Sequence, residues 1–397
     1  MSSTLYSINK YQQKSYIILE GEKKSQSFHI IKEGKVNISK KNPVFGEKQS
    51  EILGPGDFFG VVGAMSQLPQ LESAFTMTTV VTLSINYKKL PEMVQSNPAL
   101  AIKIIRSFSR KLRQFSERNM ANNDRYVDEE ENFKILYNLA LNYLNLGKKR
   151  MAAYIFKCYL HYLPDGEKAE KAKENLVELD SKTTFSKKTG TIQSFNEDEI
   201  IFCQNEPSNE VYVLKTGRVR ISKIVENKEI QLFIMMPGDI FGEMSLIENT
   251  TRSATAIALE DSELMVIKKE NFETMSQKEP QLMARIISLL SERIWNANKL
   301  ILNSYLNDLD YKILDMLLIL YERSKVIVTG LQSFDFKVQF NDVINMIGVE
   351  EKIDKLEDNF LKKYKFIKIE RNSLICTNIN NLERLILSKR AKIDTLD

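Results

Sequence analysis

Residues 241–256 read "FGEMSLIENTTRSATA" and gather, in one short stretch, the residue types an anion site needs. Arg252 offers a planar cation that can donate two parallel hydrogen bonds to an oxyanion. Glu243 offers a carboxylate to a hydroxyl group. Gly242 lets a ligand approach the backbone closely. Residues 243–248 fit a short helix whose first amides, from Met244 and Ser245, face the anion. Ser253 adds a hydroxyl at its edge. The bland alternative is a surface Glu–Arg pair on a bulge. The full set suits a buried phosphodiester, whose single charge needs a paired cation.

In this register the stretch resembles the phosphate-binding cassette of cyclic-nucleotide-binding domains, a family that includes bacterial catabolite activators and the regulatory subunits of cyclic-nucleotide-dependent kinases. The resemblance covers the cassette closely, the surrounding barrel over about 183–280 and the following helix over 281–305. It implies Arg252 on the cyclic phosphate and Glu243 on the ribose 2′-hydroxyl, with Gly242, Met244, Ser245 and Ser253 around them. A gapless alignment through 291–310 sets Ala297 and Asn298 where the family contacts adenine, so Asn298 is the candidate reader of a base edge. Ser253 suits adenine and guanine alike. Cyclic AMP is the first expectation and cyclic GMP stays open. The ligand would be an effector, and no cofactor, metal or catalytic residue is expected.

The frame occurs twice. Residues 55–76 read "PGDFFGVVGAMSQLPQLESAFT", against "PGDIFGEMSLIENTTRSATA" at 237–256. Aligned on Ser-Ala, the first copy has Glu72 at the cation position, Val61 at the carboxylate position and two extra residues between the frame ends. Glu72 would repel a phosphate, so the first copy is expected to keep the fold without the ligand. Further matches, "SYIILEGE" with "EIIFCQNE" and "HIIKEGKVNIS" with "YVLKTGRVRIS", extend the repeat over a whole domain.

The elements that must carry these residues follow from pattern. Each copy has short, β-branched runs between Gly, Pro and Asn, which reads as a small jelly roll. Gly34 and Gly217 sit between strands where a turn needs positive φ. Segment 281–305 has an apolar stripe at Leu282, Ile286, Leu289, Ile294, Ala297, Ile301 and Tyr305, fitted to its own barrel or to a second copy as a homodimer. Trp295 could stack on a base, but packing is the ordinary role of a lone Trp. Segment 136–180 resembles a tetratricopeptide repeat at Leu136, Leu139, Ala140, Tyr143, Ala152, Phe156 and Pro164. One unit is too few for a solenoid, so it reads as a helical linker. The acidic run from Asp128 to Glu131 would open its first helix.

Residues 308–324 form an amphipathic helical pattern. Residues 339–364 read as helix, turn at Gly348, helix, and 365–378 as a hairpin with Asn372-Ser373 at its tip, together a winged-helix pattern. The fold class is therefore α+β and multidomain: a degenerate barrel at 1–127, a helical insert at 128–182, a competent barrel at 183–305 and a winged-helix-like domain at 306–397.

Two outputs stay open for that last domain. The order of domains resembles the catabolite activators and implies DNA, with Lys352 and Lys355 as phosphate contacts. Glu350, Glu351, Glu357 and Asp358 would be repelled by DNA and fit an adaptor for a protein partner. Lys103, Arg106, Arg110 and Arg113 form a second basic stripe, which reads as a solvated face.

Composition bounds the rest. The 397 residues are 43% hydrophobic and 27% charged with a net charge of +4, which fits folded domains and announces no polyanion binder. The start lacks a signal-peptide pattern and no apolar run spans a bilayer, so a cytoplasmic protein without membrane contact is expected. Cys158, Cys203 and Cys376 are far apart and odd in number, which reads as free thiols rather than a disulfide framework or zinc site. His29 and His161 sit in no catalytic or metal spacing.

Overall fold

The computed structural model describes residues 5–23, 25–44, 47–118, 129–179, 188–225, 228–242, 251–268, 271, 274, 278–328, 332–348 and 353–393. The chain forms two compact units. One joins residues 1–92 with 291–397, and the other holds residues 93–290.

The first barrel comprises β1 (Ser7–Tyr11), β2 (Tyr16–Ile18), β3 (Ser27–Glu33), β4 (Val36–Ser39), β5 (Ser50–Leu53), β6 (Phe58–Phe59), α1 (Val61–Ser66), β7 (Ser73–Thr76) and β8 (Val80–Asn86). Its sheets run β1-β8-β3-β6 and β2-β7-β4-β5, all antiparallel. Helices α2 (Leu90–Ser96) and α3 (Pro98–Arg118) follow. Ala101, Ile104, Ile105, Phe108, Leu112 and Phe115 form the buried face of α3, while Lys103, Arg106 and Arg110 are exposed, as a solvated stripe requires. The side chain of Arg113 lies outside the described residues.

The insert consists of α4 (Glu129–Asn145), α5 (Lys149–Tyr162) and α6 (Ala169–Leu179). Ala140 and Ala152 let α4 and α5 approach, and Tyr143 and Phe156 fill the space, all four with no exposed surface. The insert is more than the linker expected from sequence. Its core continues into Ile200, Cys203, Ile224 and Ile257 of the second barrel. Tyr143 Oη reaches Thr255 Oγ1 at 3.5 Å, and Lys148 pairs with Glu229.

The second barrel repeats the first strand for strand: β9 (Ile192–Phe195), β10 (Ile200–Phe202), β11 (Glu210–Thr216), β12 (Val219–Val225), β13 (Lys228–Met235), β14 (Ile240–Phe241), β15 (Thr255–Ala258) and β16 (Ser262–Lys268). Its sheets run β14-β11-β16-β9 and β10-β15-β12-β13. Strands β3 and β11 even share one sequence of buried and exposed positions. Gly34 and Gly217 have φ of 92° and 87°, and a Cβ at either would strike the backbone of the facing turn.

Helix α7 (Pro280–Ser304) has residues 280–290 in the second unit and 291–304 in the first. Its buried face is wound about one residue from the expected stripe: Met283, Ile287, Leu290, Trp295 and Asn298 are buried with Ile286 and Ile294, whereas Tyr305 is exposed. Counting only apolar spacing missed the buried Asn298 and so misplaced the face. Trp295 is fully buried in the first unit and donates Nε1–H to Pro69 O at 2.9 Å, with Lys299 Nζ 5.0 Å from its ring. It packs; it stands on the turn of the first barrel.

The C-terminal segment comprises α8 (Leu309–Ser324), β17 (Phe334–Asp335), α9 (Phe340–Met346), α10 (Ile353–Lys363), β18 (Ile367–Glu370), β19 (Ser373–Cys376) and α11 (Ile379–Ile393), with sheet order β17-β19-β18. Asp308 caps α8 by accepting from Asp310 N at 2.9 Å. The hairpin tip is Arg371-Asn372, both at positive φ, as a primed turn requires, and Ser373 already pairs with Glu370. The expected tip at Asn372-Ser373 was therefore one residue late. Strand β17 and helix α11 were not foreseen. Among the described residues no helix is long and apolar enough to cross a membrane.

Candidate functional site

Arg252 lies just before β15 and is locked by its backbone. Its N–H donates to Glu206 O and its carbonyl accepts from Asn205 N, both at 2.8 Å. The side chain is only 4% exposed, so its charge sits in the barrel rather than in water. Nη1 donates to Gly242 O at 2.8 Å. The guanidinium carbon lies 4.1 Å from the centroid of Phe202 and 5.4 Å from that of Tyr212, and Tyr212 stacks on Phe241. These faces favour a cation and orient it flat. Burial pushes the Tyr212 phenol well above its ordinary range, with Arg252 acting against that rise.

Gly242 has φ 80°, and a Cβ there would collide with Arg252 Nη1. The position thus needs glycine twice over, for the turn and for the cation. Ser253 follows at half-buried depth. Arg252 opens onto a cleft of about 270 Å³, just under the range of ~300–1,000 Å³ usual for small-molecule sites. Phe202, Glu206 and Tyr212 line it from the barrel, and Arg150 and Tyr154 from α5.

Of the expected residues, Gly242, Arg252 and Ser253 come together here. Glu243, Met244 and Ser245 lie outside the described residues, as does Lys352. Asn298 is 3% exposed and belongs to the other unit. Lys355 is exposed on α10. The aromatic bed of Phe202 and Tyr212 and the anchoring Glu206 were missed. Their signal was present in the matched segments "EIIFCQNE", which holds Phe202 and Glu206, and "YVLKTGRVRIS", which opens on Tyr212, where only the frame was read.

The first barrel corrects one assignment. Ile18 pairs with Ala74, and its counterpart Phe202 pairs with Ala256. Ser73-Ala74 therefore stands where Thr255-Ala256 stands, not where Ser253-Ala254 does. The residue at the cation position is Gln70, not Glu72. Gln70 N donates to Glu22 O at 3.0 Å and Gly21 N to Gln70 O at 2.8 Å, reproducing the lock on Arg252. Gln70 Nε2 points at Gly60 O at 3.4 Å, as Arg252 Nη1 points at Gly242 O. Gly60 to Gln70 and Gly242 to Arg252 are equally spaced, so the two extra residues disappear. A chance Ser-Ala had drawn the alignment out of register. Val61, after Gly60, is buried.

The comparisons with known proteins agree with this geometry. The family described as cyclic nucleotide-binding domain matches residues 8–97 and again 192–279. A cyclic AMP receptor protein of Thermus thermophilus is 32% identical over 99 residues, 25% of this chain and 46% of that protein. The chain thus spans less than half the length of this relative. A CRP-like cAMP-activated global transcriptional regulator of Mycobacterium tuberculosis is 20% identical over 192 residues, 48% of this chain and 85% of that one. Among solved structures, the regulatory domain of Toxoplasma gondii PKA with cAMP covers 74% of this chain and 86% of its own at 17% identity, with a TM-score of 0.22, too low to carry any argument. Two segments of the chain, one in each barrel, thus match the cyclic nucleotide-binding domain family in tandem, and the chain is similar in part to the CRP-like proteins.

Proposed function

We propose that the second barrel binds one cyclic nucleotide per chain, cyclic AMP, as an effector, and that the chain is a cytoplasmic receptor without catalytic activity of its own. The observation that carries this reading is Arg252, buried on Phe202 and held to Gly242 O, against Gln70 at the same place in the first barrel. On binding, the guanidinium would exchange its neutral carbonyl acceptor for a phosphodiester, a stronger, charge-assisted pair. Glu243 would take the ribose hydroxyl, with Met244, Ser245 and Ser253 at the phosphate. Asn298 is the proposed base contact.

The output we favour is DNA. The order of domains and the names of the CRP-like relatives support it. Binding would shift the populations of two arrangements of α7, by no more than the ligand's differential affinity for them, and so reorient a winged-helix domain at 306–397. A homodimer through helix 281–305 fits that scheme. The second reading, a protein-interaction adaptor, rests on Glu350 and Glu351 ahead of α10. Calorimetry with cyclic AMP and cyclic GMP tests the receptor: one site per chain with cyclic AMP tighter is expected, and two equivalent sites or none rejects it. DNA binding across salt concentrations, with and without cyclic AMP, tests the output. Ligand-dependent binding that weakens with salt is expected, and its absence favours the adaptor.

A further inference from the structure

Cys158 and Cys203 are 45 positions apart in sequence and meet behind the phosphate turn. Their Sγ atoms lie 3.9 Å apart. Both are fully buried, Cys158 on α5 and Cys203 just after β10. Glu206 joins them, at 5% exposure, and one donor atom from each of the three residues lies within 4.8 Å of the others. Sequence spacing hid the group, because the pair forms only when the insert docks on the second barrel.

The group is held rather than merely adjacent. Cys203 N–H donates to Glu206 Oε2 at 3.0 Å, and Glu206 N–H closes the turn on Cys203 O at 3.2 Å. Tyr154 Oη donates to the same carboxylate oxygen at 3.4 Å. Outer bonds of this kind fix a ligand carboxylate in metal sites. With zinc–sulfur bonds of about 2.3 Å, a 3.9 Å sulfur separation corresponds to an S–Zn–S angle of about 115°, close to tetrahedral. A disulfide needs the sulfurs at about 2.05 Å, so both would have to move.

The first barrel serves as an internal control. The same turn exists there, with Leu19 N donating to Glu22 Oε2 at 3.4 Å. Yet the position of Cys203 holds Leu19, which is 53% exposed. The thiols accompany the insert, not the barrel fold.

We propose that Cys158, Cys203 and Glu206 bind one zinc-class divalent ion, which clamps the insert to the second barrel. Two Zn–S bonds and one Zn–O bond form, and the two thiol protons leave to the buffer. Glu206 and Tyr154 also line the cleft beside Arg252, so the carboxylate edge of the group lies next to that cleft. The ion's charge would offset the two buried thiolates and the carboxylate that bind it.

The test uses the reduced, chelator-treated full chain, titrated with Zn²⁺ and with Co²⁺. One ion per chain is expected, and the Co²⁺ form should show thiolate-to-metal charge transfer with the visible bands of a tetrahedral site. Cys158→Ser and Cys203→Ser should each lose stoichiometric Zn²⁺ binding, while Cys376→Ser keeps it. If the serine variants misfold, the wild-type Co²⁺ spectrum decides alone. Failure to take up Zn²⁺, a Co²⁺ spectrum without thiolate bands, or binding that survives the loss of both Cys158 and Cys203 would each overturn the site. None of these readouts depends on cyclic nucleotide binding.

Discussion

At one turn the two barrels are superimposable in hydrogen bonding and opposite in chemistry. Residues Gly21, Glu22 and Gln70 in the first repeat the backbone lock of Asn205, Glu206 and Arg252 in the second. Beneath the side chain, the first barrel has Ile18 where the second has Phe202. The first therefore offers an amide on an aliphatic bed, and the second a cation on an aromatic one. The lesson is that the backbone turn is common to both barrels and only the side chain it carries differs. The first turn is used for packing: Pro69, beside Gln70, accepts the indole N–H of Trp295. The second turn faces the insert instead, through Glu206 and Tyr154.

The sharpest way to break this contrast is to exchange the two side chains. Arg252→Gln gives the second barrel the amide of the first. Leaving a buried phosphate without its cation costs about 3–5 kcal/mol. Calorimetry should show cyclic nucleotide binding weakened at least ~100-fold. Gln70→Arg should leave the stoichiometry at one, because Val61 still stands in place of a carboxylate and Ile18 in place of the ring. A second site in Gln70→Arg would show that charge alone separates the barrels. Unchanged affinity in Arg252→Gln would remove the phosphate from this turn.

Next in size is the packing role of the first barrel. Trp295 is fully buried, and Trp295→Ala should destabilise the first unit by about 3–5 kcal/mol. Trp295→Phe keeps most of the ring and loses the bond to Pro69, about 1 kcal/mol. Urea unfolding measures both. Equal losses would mean that the hydrogen bond, not the buried ring, holds the helix.

The first barrel also carries a pH liability that the second lacks. His29, where the second barrel has Tyr212, is 7% exposed, stacks on Phe59 and bonds Ser84 through Nδ1. Burial lowers its pKa to about 4. The unfolded chain, with an ordinary value near 6.5, binds the proton first, so stability falls as pH drops from about 6.5 to 4 and levels off below. The loss is about 3 kcal/mol. Melting across that window should show the slope in wild type and lose it in His29→Gln. A slope that survives the substitution would assign the sensitivity elsewhere.

Much of this was legible in sequence. The repeat, the short strands of each barrel, the positive φ at Gly34 and Gly217 and the close Ala140–Ala152 approach followed from local pattern. Apart from the hairpin tip, what failed depends on contacts between distant segments. Glu72 was chosen over Gln70 because Ser-Ala recurs, and only the strand register between β2 and β7 separates them. The buried face of α7 was misplaced because Asn298 and Lys299 are polar and buried, which periodicity of apolar residues cannot register. Cys158 and Cys203 looked solitary because nothing in either segment announces that α5 docks on β10.

The smallest expected effect tests whether charge contributes to the first barrel's packing role. Lys23 pairs with Glu383 of α11 at 2.5 Å, and its ammonium lies 5.7 Å from the ring of Tyr321. The lysine side chain is 48% exposed, so water and salt screen the pair. An exposed pair of this kind contributes about 0–1 kcal/mol, and the ring contact adds about 0.5–1 kcal/mol. Lys23→Ala should therefore lower stability by about 1 kcal/mol in urea at low ionic strength, and by less as salt is added. Lys23→Met keeps the aliphatic stem and should separate lost packing from lost charge. A loss as large as that of Trp295→Ala, persisting in high salt, would mean that Lys23 and not Trp295 is the main fastening of the first barrel.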